Sequence, residues 1–575
     1  MNQVYGRWLA VPFVFSLLLA RPLLAPALAE QSSLDKVLAL VPSDVDALLI
    51  ADGIADEYAD LRQSAWWKNA EKLPIVQQAL QSKPARNVRW MTAMMPAFLG
   101  VTLEQLRDDV LGEAAVLALW KRDQKDPIGA LIARASDAEL LAKLIDTLSA
   151  ERPGREVDQR AFRGQDYVET REANGKKAYL FQRDDIGVIA GDEEAVRKII
   201  DTMLDGHGFG TSSIRARLRR ALPEQAFLRL YVNPRSLDHA LDEAPPSNDP
   251  FERFLLQRRE AWDRVEWLAA TISSSPRYEL GLHFAIRSMK PPVPTSASLA
   301  AFWDRVDDST LMAVHMMLPI KSVVGIVGEV QSERESREVR EAIRVISQFL
   351  AGYSVPDVLD HVGPSVGGMI APGQPGQPPR VMGVVELRDE KPSTLGALPL
   401  SMALENSGVA VLVLIGVELS RKEKTPWRVE LELSEGERIH YLRRQEAPGS
   451  WPQPALAVTS HQLLFGSSPK ALAPWLGGEK ESSDLPAWFA QHFPAGFRPI
   501  LWVNASAVRT YLEREGDRLL VLITRDDPEH KERLAKRTGP ILSVMGLLDR
   551  LVIGVNVTSE AYHLTMTLFP TPAES

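Results

Sequence analysis

The stretch Val157–Val196, VDQRAFRGQDYVETREANGKKAYLFQRDDIGVIAGDEEAV, decides the fold class. Four strand-like runs lie in it, Val157–Phe162, Gln165–Arg171, Ala178–Phe181 and Ile186–Ala190, joined by short turns. Parallel strands need a crossover of a dozen or more residues, so runs this close must pair antiparallel. Gly191 then leads into a helix over Glu193–Leu204. A meander with attached helices predicts an α+β fold, not a βαβ array.

Upstream, the pattern predicts a short helix at Leu34–Leu40, a strand at Ala47–Ala51 and a helix-rich stretch from Ile54 to Leu99, punctuated by Pro74 and Pro84. Thr102 with Gln105 three residues on is a capping box, and Gly112 stops the helix it opens. A hairpin follows at Ala115–Trp120 and Ile128–Ala133, then a helix at Asp137–Leu148 with Leu140, Leu141, Leu144 and Leu148 on one face. Downstream come a strand at Phe227–Val232, a helix from Pro234, and a hairpin of Leu268–Ser273 with Tyr278–Ile286.

Segments of this first half recur, in order, in the second. Ser33, Leu34, Val41 and Val45–Leu49 align with Ser298, Leu299, Val306 and Thr310–Val314, 265 positions later. Phe98-Leu99, Asp109 and Gly112 fall on Phe349-Leu350, Asp360 and Gly363, 251 later. Val188–Val196 matches Leu463–Ala471 through Gly191 and Gly466, and Pro223…Tyr231-Val232-Asn233 matches Pro494…Trp502-Val503-Asn504. Leu268 to Ile286 matches Leu551 to Phe569. Collinear matches predict two similar α+β repeats, residues 33–286 and 298–570, each a mainly antiparallel sheet with packed helices. The proline-rich segment 287–297 links them. The second copy differs by an amphipathic helix over Glu329–Leu350 and by the apolar run Gly408–Val417, which reads as a central strand, with a partner-binding or membrane-facing edge as the alternative.

The composition is that of globular domains: 575 residues, 45% hydrophobic and 25% charged. Arg7, the apolar run Trp8–Ala20 and the small residues Ala27-Leu28-Ala29 have the layout of a secretory signal at 1–29. The run is too short to span a bilayer as it stands. A bacterial periplasm fits the total lack of cysteine in a chain of this size, with an N-terminal membrane anchor as the alternative. The net charge of −9 argues against nucleic acid as a partner.

No motif nominates a catalytic, cofactor-binding or metal residue. Asn233 and Asn504, polar in both copies, sit where a strand gives way to a helix and read as N-caps. Gly112/Gly363 and Gly191/Gly466 read as turn positions needing positive φ or close approach, with Asp109 and Asp360 solvated beside the first pair. Gly206-His207-Gly208-Phe209-Gly210 looks like a phosphate loop by letters, yet follows a helix instead of opening one, so it reads as a helix stop. The ten histidines are scattered, and only His440 and His461 are placed to meet across neighbouring strands. Asp184-Asp185 and Asp307-Asp308 fall in turns. Arg215, Arg217, Arg219 and Arg220 read as a solvated helix face, or as a dock for acidic lipid head groups or an anionic polymer.

The helix ending in the acid turn Leu34–Asp44, the helix closing on Gly112, Gly-Asp-Glu-Glu-Ala-Val, Leu-Pro-Glu-Gln-Ala-Phe and Tyr-Val-Asn-Pro together resemble a family of exported bacterial proteins catalogued as a domain of unknown function. That resemblance implies an α+β fold and export, and supplies no activity, cofactor or site residue. The sequence therefore points to a non-enzymatic envelope protein that binds a protein or envelope polymer, with lipid or membrane-surface contact open. Its alternatives are a carrier of an apolar ligand or lipid, and a diverged hydrolase with a site between the repeats. N-terminal sequencing of the exported protein is expected to begin at Glu30; a chain retaining Met1 contradicts signal cleavage.

Overall fold

Strand β3 (Lys125–Arg134) alternates between two apolar sets. Ile128, Ala130 and Ile132 point to one side of the sheet and Leu131 and Ala133 to the other, and four of these five are buried. A strand covered on both faces reads as a nearly unbroken apolar run, and helices pack on each side of it. The structure, a computed structural model, describes residues 32–122, 125–238, 259–274, 277–287, 301–317, 350, 353–388, 398–445, 452–477, 483–524 and 528–571. Residues 1–29, the segment 288–297 and all but Leu350 of the helix expected at Glu329–Leu350 lie outside them. Two units divide the chain, one comprising Met1–Ala244, Asp263–Pro291 and Val557–Ser575, the other Pro245–Trp262 and Pro292–Asn556.

In the first unit the other strands are β1 (Ala47–Asp52), β2 (Ala114–Arg122), β4 (Arg155–Phe162), β5 (Gln165–Glu172), β6 (Lys177–Arg183), β7 (Ile186–Ala190), β8 (Leu228–Val232), β9 (Val265–Ser273), β10 (Tyr278–Ile286) and the C-terminal β20 (Tyr562–Pro570). Their order is β4-β5-β6-β7-β3-β2-β1-β8-β9-β10-β20, antiparallel throughout. One face carries α1 (Ser33–Leu38) and a helix at Glu193–Asp205, through Leu34, Val37, Leu38, Val196, Ile199 and Ile200. The other carries α2 (Ile54–Gln63), α3 (Ala65–Ala70), α4 (Pro74–Gln81), α5 (Lys83–Leu99), the short α6 (Leu103–Gln105) and α7 (Ala138–Ser149). The helix at Glu193–Asp205 is α8. It ends on Gly206 at φ 73°, a conformation that favours glycine, and Gly208 lies so close to the Ala39 carbonyl that no side chain fits. This is the helix stop expected there.

The second unit holds β11 (Met312–Met317), β12 (Val362–Ala371), β13 (Arg380–Leu387), β14 (Trp427–Ser434), β15 (Glu437–Arg444), β16 (Ala455–Val458), β17 (Gln462–Gly466), β18 (Arg498–Asn504) and β19 (Leu548–Val557). They run β14-β15-β16-β17-β13-β12-β11-β18-β19, also antiparallel and in the same order as β4 to β9 of the first unit.

The run Gly408–Val417 is not a strand. It lies inside a 24-residue helix, Leu400–Glu423. Gly408 and Gly416, eight apart and so on one helical face, meet Leu456 and Leu442 too closely for a side chain, which lets the helix settle on β15 and β16. The good helix formers at Leu400–Asn406 start it and override the β-preference of the valines. By length and composition this helix could cross a membrane, and a third of its most apolar window is buried. Its outer arc exposes Val413, Leu414, Ile415 and Val417, while Glu405 faces inward.

The caps read from sequence are present with different consequences. Asn233 Oδ1 accepts the Arg235 amide at 3.1 Å, opening a 3-10 turn, Pro234–Leu237, that leads into helical backbone at Asp238, the last described residue there. Asn504 Oδ1 accepts from the Ala507 amide at 2.9 Å, and its Nδ2 donates to the Asp308 carbonyl at 2.7 Å. Either Asn→Ala change should cost ~1 kcal/mol. Asn233→Asp should be neutral, whereas Asn504→Asp loses a buried donor and should cost ~1–3 kcal/mol, read as a shift in denaturant midpoint.

Candidate functional site

The residues of β3 and β7 that face away from α1 and α8 are Leu131, Ala133, Gly187 and Ile189, and none of them fills the space above it. Opposite stands α7, whose Leu141, Leu144, Ile145 and Leu148 recur at helical spacing, with Asp137 capping its start through the Leu140 amide at 2.9 Å. The third wall begins at the capping box, where Thr102 Oγ1 accepts the Gln105 amide at 3.1 Å and Gln105 Oε1 accepts the Thr102 amide at 2.9 Å. After α6 the backbone widens to a π-turn, Leu106–Val110, closed by the Leu111 amide on the Leu106 carbonyl at 2.9 Å. Such turns frequently occur at functional sites. Gly112 ends it because a side chain there would collide with the Asp108 carbonyl. Ile54 of α2 and Leu99, the last residue of α5, complete a partly open pocket of about 280 Å³.

Its lining is apolar except for Arg107. The guanidinium lies 3.7 Å from the Tyr58 ring centroid, and its Nε and Nη2 donate to the two oxygens of Asp108 at 2.7 Å each. Burial is the largest single influence and discourages the charge, but the Asp108 bond and charge together with Tyr58 outweigh it and raise the Arg107 pKa. The site therefore offers an ion pair already satisfied at one wall and hydrocarbon elsewhere. Protein interiors are close-packed, so an apolar space of this size stands out from ordinary core.

A second constellation lies on the α1/α8 face of the same unit. His283 of β10 and His563 of β20 are direct cross-strand partners, 280 positions apart in sequence, with Nδ1 atoms 2.8 Å apart. Thr271 Oγ1 is 2.8 Å from His283 Nε2, and Thr558 Oγ1 is 3.2 Å from His563 Nε2. A bond between two Nδ1 atoms needs one to donate and the other to accept, so the pair cannot hold both rings doubly protonated. Burial, then the neighbouring ring, lowers the His283 pKa to about 3, and burial lowers that of His563. In the second unit burial lowers His315, bonded to Ser365 at 2.7 Å, to about 4.

The structure separates most of the polar residues singled out from sequence. His440 bonds Glu405 at 2.6 Å and lies opposite Leu456, while His461 is exposed in the turn before β17, because the β15–β16 register ends before reaching it. The arginines of α9 (Ser213–Ala221) are not simply solvated: Arg215 pairs with Asp35 at 3.2 Å, Arg217 with Glu266 at 2.5 Å and Arg220 with Glu560 at 2.9 Å. Asp307 accepts the Ser309 and Thr310 amides at 2.9 Å, and Asp185 binds Arg134 at 2.7 Å from the turn after β6. Gly112, Gly363 and Gly466 are close-approach positions, but Gly191 has neither a positive φ nor a neighbour that a side chain would meet. Among the described residues no three His, Asp or Glu side chains converge as a metal site. No protein-family model, curated protein or solved structure matches the chain.

The buried histidines fix a sign for pH dependence. Above pH ~6.5 they are neutral folded and unfolded, so they add no pH slope. As pH falls below that, the unfolded chain takes up protons that the native sites refuse until near 3 for His283 and 4 for His315, and stability declines. Denaturation between pH 6.5 and 4.5 should show this loss, and His283→Gln should flatten it by up to ~1.4 kcal/mol per pH unit.

Proposed function

We propose that the protein is a non-enzymatic binding protein of the bacterial envelope, exported behind residues 1–29, that carries a small apolar ligand or the end of an acyl chain in its first unit. The observation that carries this reading is the pocket of about 280 Å³ with a hydrocarbon lining. At ~30 Å³ per water-sized group it takes roughly nine or ten methylenes. Left empty, a void this size would cost on the order of several kcal/mol by the slope seen for core cavities. A guest recovers that. The titratable lining side chain, Arg107, is bound to Asp108 and stacked on Tyr58, an arrangement that suits positioning better than proton transfer.

The same reading includes an internal duplication. It is supported by the common strand order of the two sheets and by structural pairs at matched positions: Tyr231 and Trp502 are both buried, on β8 and β18, and Asn233 and Asn504 both cap the turn that follows. Within the aligned segments two cavity residues have such a match, Leu99 with Leu350 and Ile189 with Leu464, and the others have none. Ligand binding would then be an acquisition of the first copy.

The test is titration with N-phenyl-1-naphthylamine, whose fluorescence rises in apolar surroundings, together with native mass spectrometry for a co-purifying ligand. Saturable dye binding is expected. Ala133→Leu, which grows into the cavity, should weaken it at least about tenfold and leave the melting temperature unchanged or higher. If Ala133→Leu destabilises the protein and leaves dye binding intact, the pocket is not the binding site.

A further inference from the structure

Helix α5 borders the cavity through its last residue, Leu99, yet α4 and α5 bury almost nothing. No residue of α4 is buried, and Met95 is the one buried residue in the 17 of α5. On α5, Trp90, Met94 and Phe98 recur at i, i+4 and i+8, which places them on one face. Trp90 is 64% exposed and Phe98 55%, and Ile75 and Leu80 of α4 are exposed as well. Exposed apolar groups gathered on one element mark a contact surface.

The charge around them says what the contact is. Residues 65–99 contain Lys68, Lys72, Lys83, Arg86 and Arg89 against the single acid Glu71, in a chain whose net charge is −9. Glu71 is itself bonded to Arg62 at 2.8 Å. A basic, tryptophan-bearing helix pair on an otherwise acidic protein has the composition of an element that lies in the head-group region of a bilayer, with its apolar face sunk among the acyl chains.

We propose that α3–α5 dock on an anionic lipid surface. The surface adjoins the cavity through α5's last turn, where Phe98 faces solvent and the next residue, Leu99, lines the pocket. An apolar guest from the bilayer would therefore enter beside the docked helix. This step rests on the carrier reading; the docking itself does not.

The lack of cysteine allows a direct probe. In the chain from Glu30 onward, which contains every described element, Phe98→Cys is labelled with an environment-sensitive fluorophore and mixed with vesicles of phosphatidylcholine containing about 30% phosphatidylglycerol. A blue shift is expected with these vesicles and not with pure phosphatidylcholine. Co-sedimentation should fall at least about fivefold in Trp90→Ser/Phe98→Ser and about threefold in Arg86→Gln/Arg89→Gln or at high salt. Dye titration without vesicles reads the cavity separately and should be unchanged in both double variants, which also shows that they fold. A label that does not respond overturns the proposal. So does vesicle binding that survives both double variants, or that is lost instead on Val413→Ser/Val417→Ser in the helix at Leu400–Glu423.

Discussion

The first unit depends on one constraint: β3 has to be covered on both sides. With Ile128, Ala130 and Ile132 committed to α1 and α8, the alternate residues Leu131 and Ala133 would lie bare unless a second helical layer crossed them. At ~25 cal/mol per Å² of apolar surface, that second layer is not optional for a strand of this composition. The central position of β3, between β2 and β7, extends the requirement to its neighbours, so that β7 alternates in the same way through Val188 and Ala190 against Gly187 and Ile189. The site is a product of how the second layer meets this demand incompletely.

Element types in the first unit were legible because their signals are local: period two in β4 to β7, leucines at helical spacing in α7, a capping box at Thr102, a helix stop at Gly206. The run Gly408–Val417 was misread because a strand buried on both faces and a helix buried on one give the same unbroken apolar letters. Its two glycines, eight apart, were the signal for helical close packing. The histidine pair was hidden for a different reason. Cross-strand partners 280 residues apart leave no local trace, and only the register of β10 against β20 joins them. The cavity was equally illegible, since every residue that lines it apart from Arg107 reads as core.

Charges show how far context changes a sequence-level reading. Four arginines on α9 look like a docking patch until Asp35, Glu266 and Glu560 are seen beside them. A basic cluster attracts anions only to the extent that its own protein leaves it uncompensated. Residues 65–99 meet that condition better, with one acid among five bases. Sequence inspection passed this cluster over because its lysines and arginines are spread over α3, the turn after it and α5, and form no run.

What keeps the cavity from closing can also be stated. The cost of a void depends on how far its walls can relax into it. On one side Leu141 already rests over Gly187, where an added methyl would come within 2.8 Å of it, so α7 cannot move closer to β7 there. On another, Arg107 is fixed between the Tyr58 ring and Asp108 and cannot swing inward without leaving a charge unpaired in hydrocarbon. The π-turn between them is pinned at its far end by Gly112, packed against the Asp108 carbonyl and the Ala55 side chain. Three rigid walls around the small residue Ala133 leave an opening that packing alone would have narrowed with a larger side chain at that position. A fold under selection for stability alone has that substitution within reach, and its absence is the feature most simply explained by a guest.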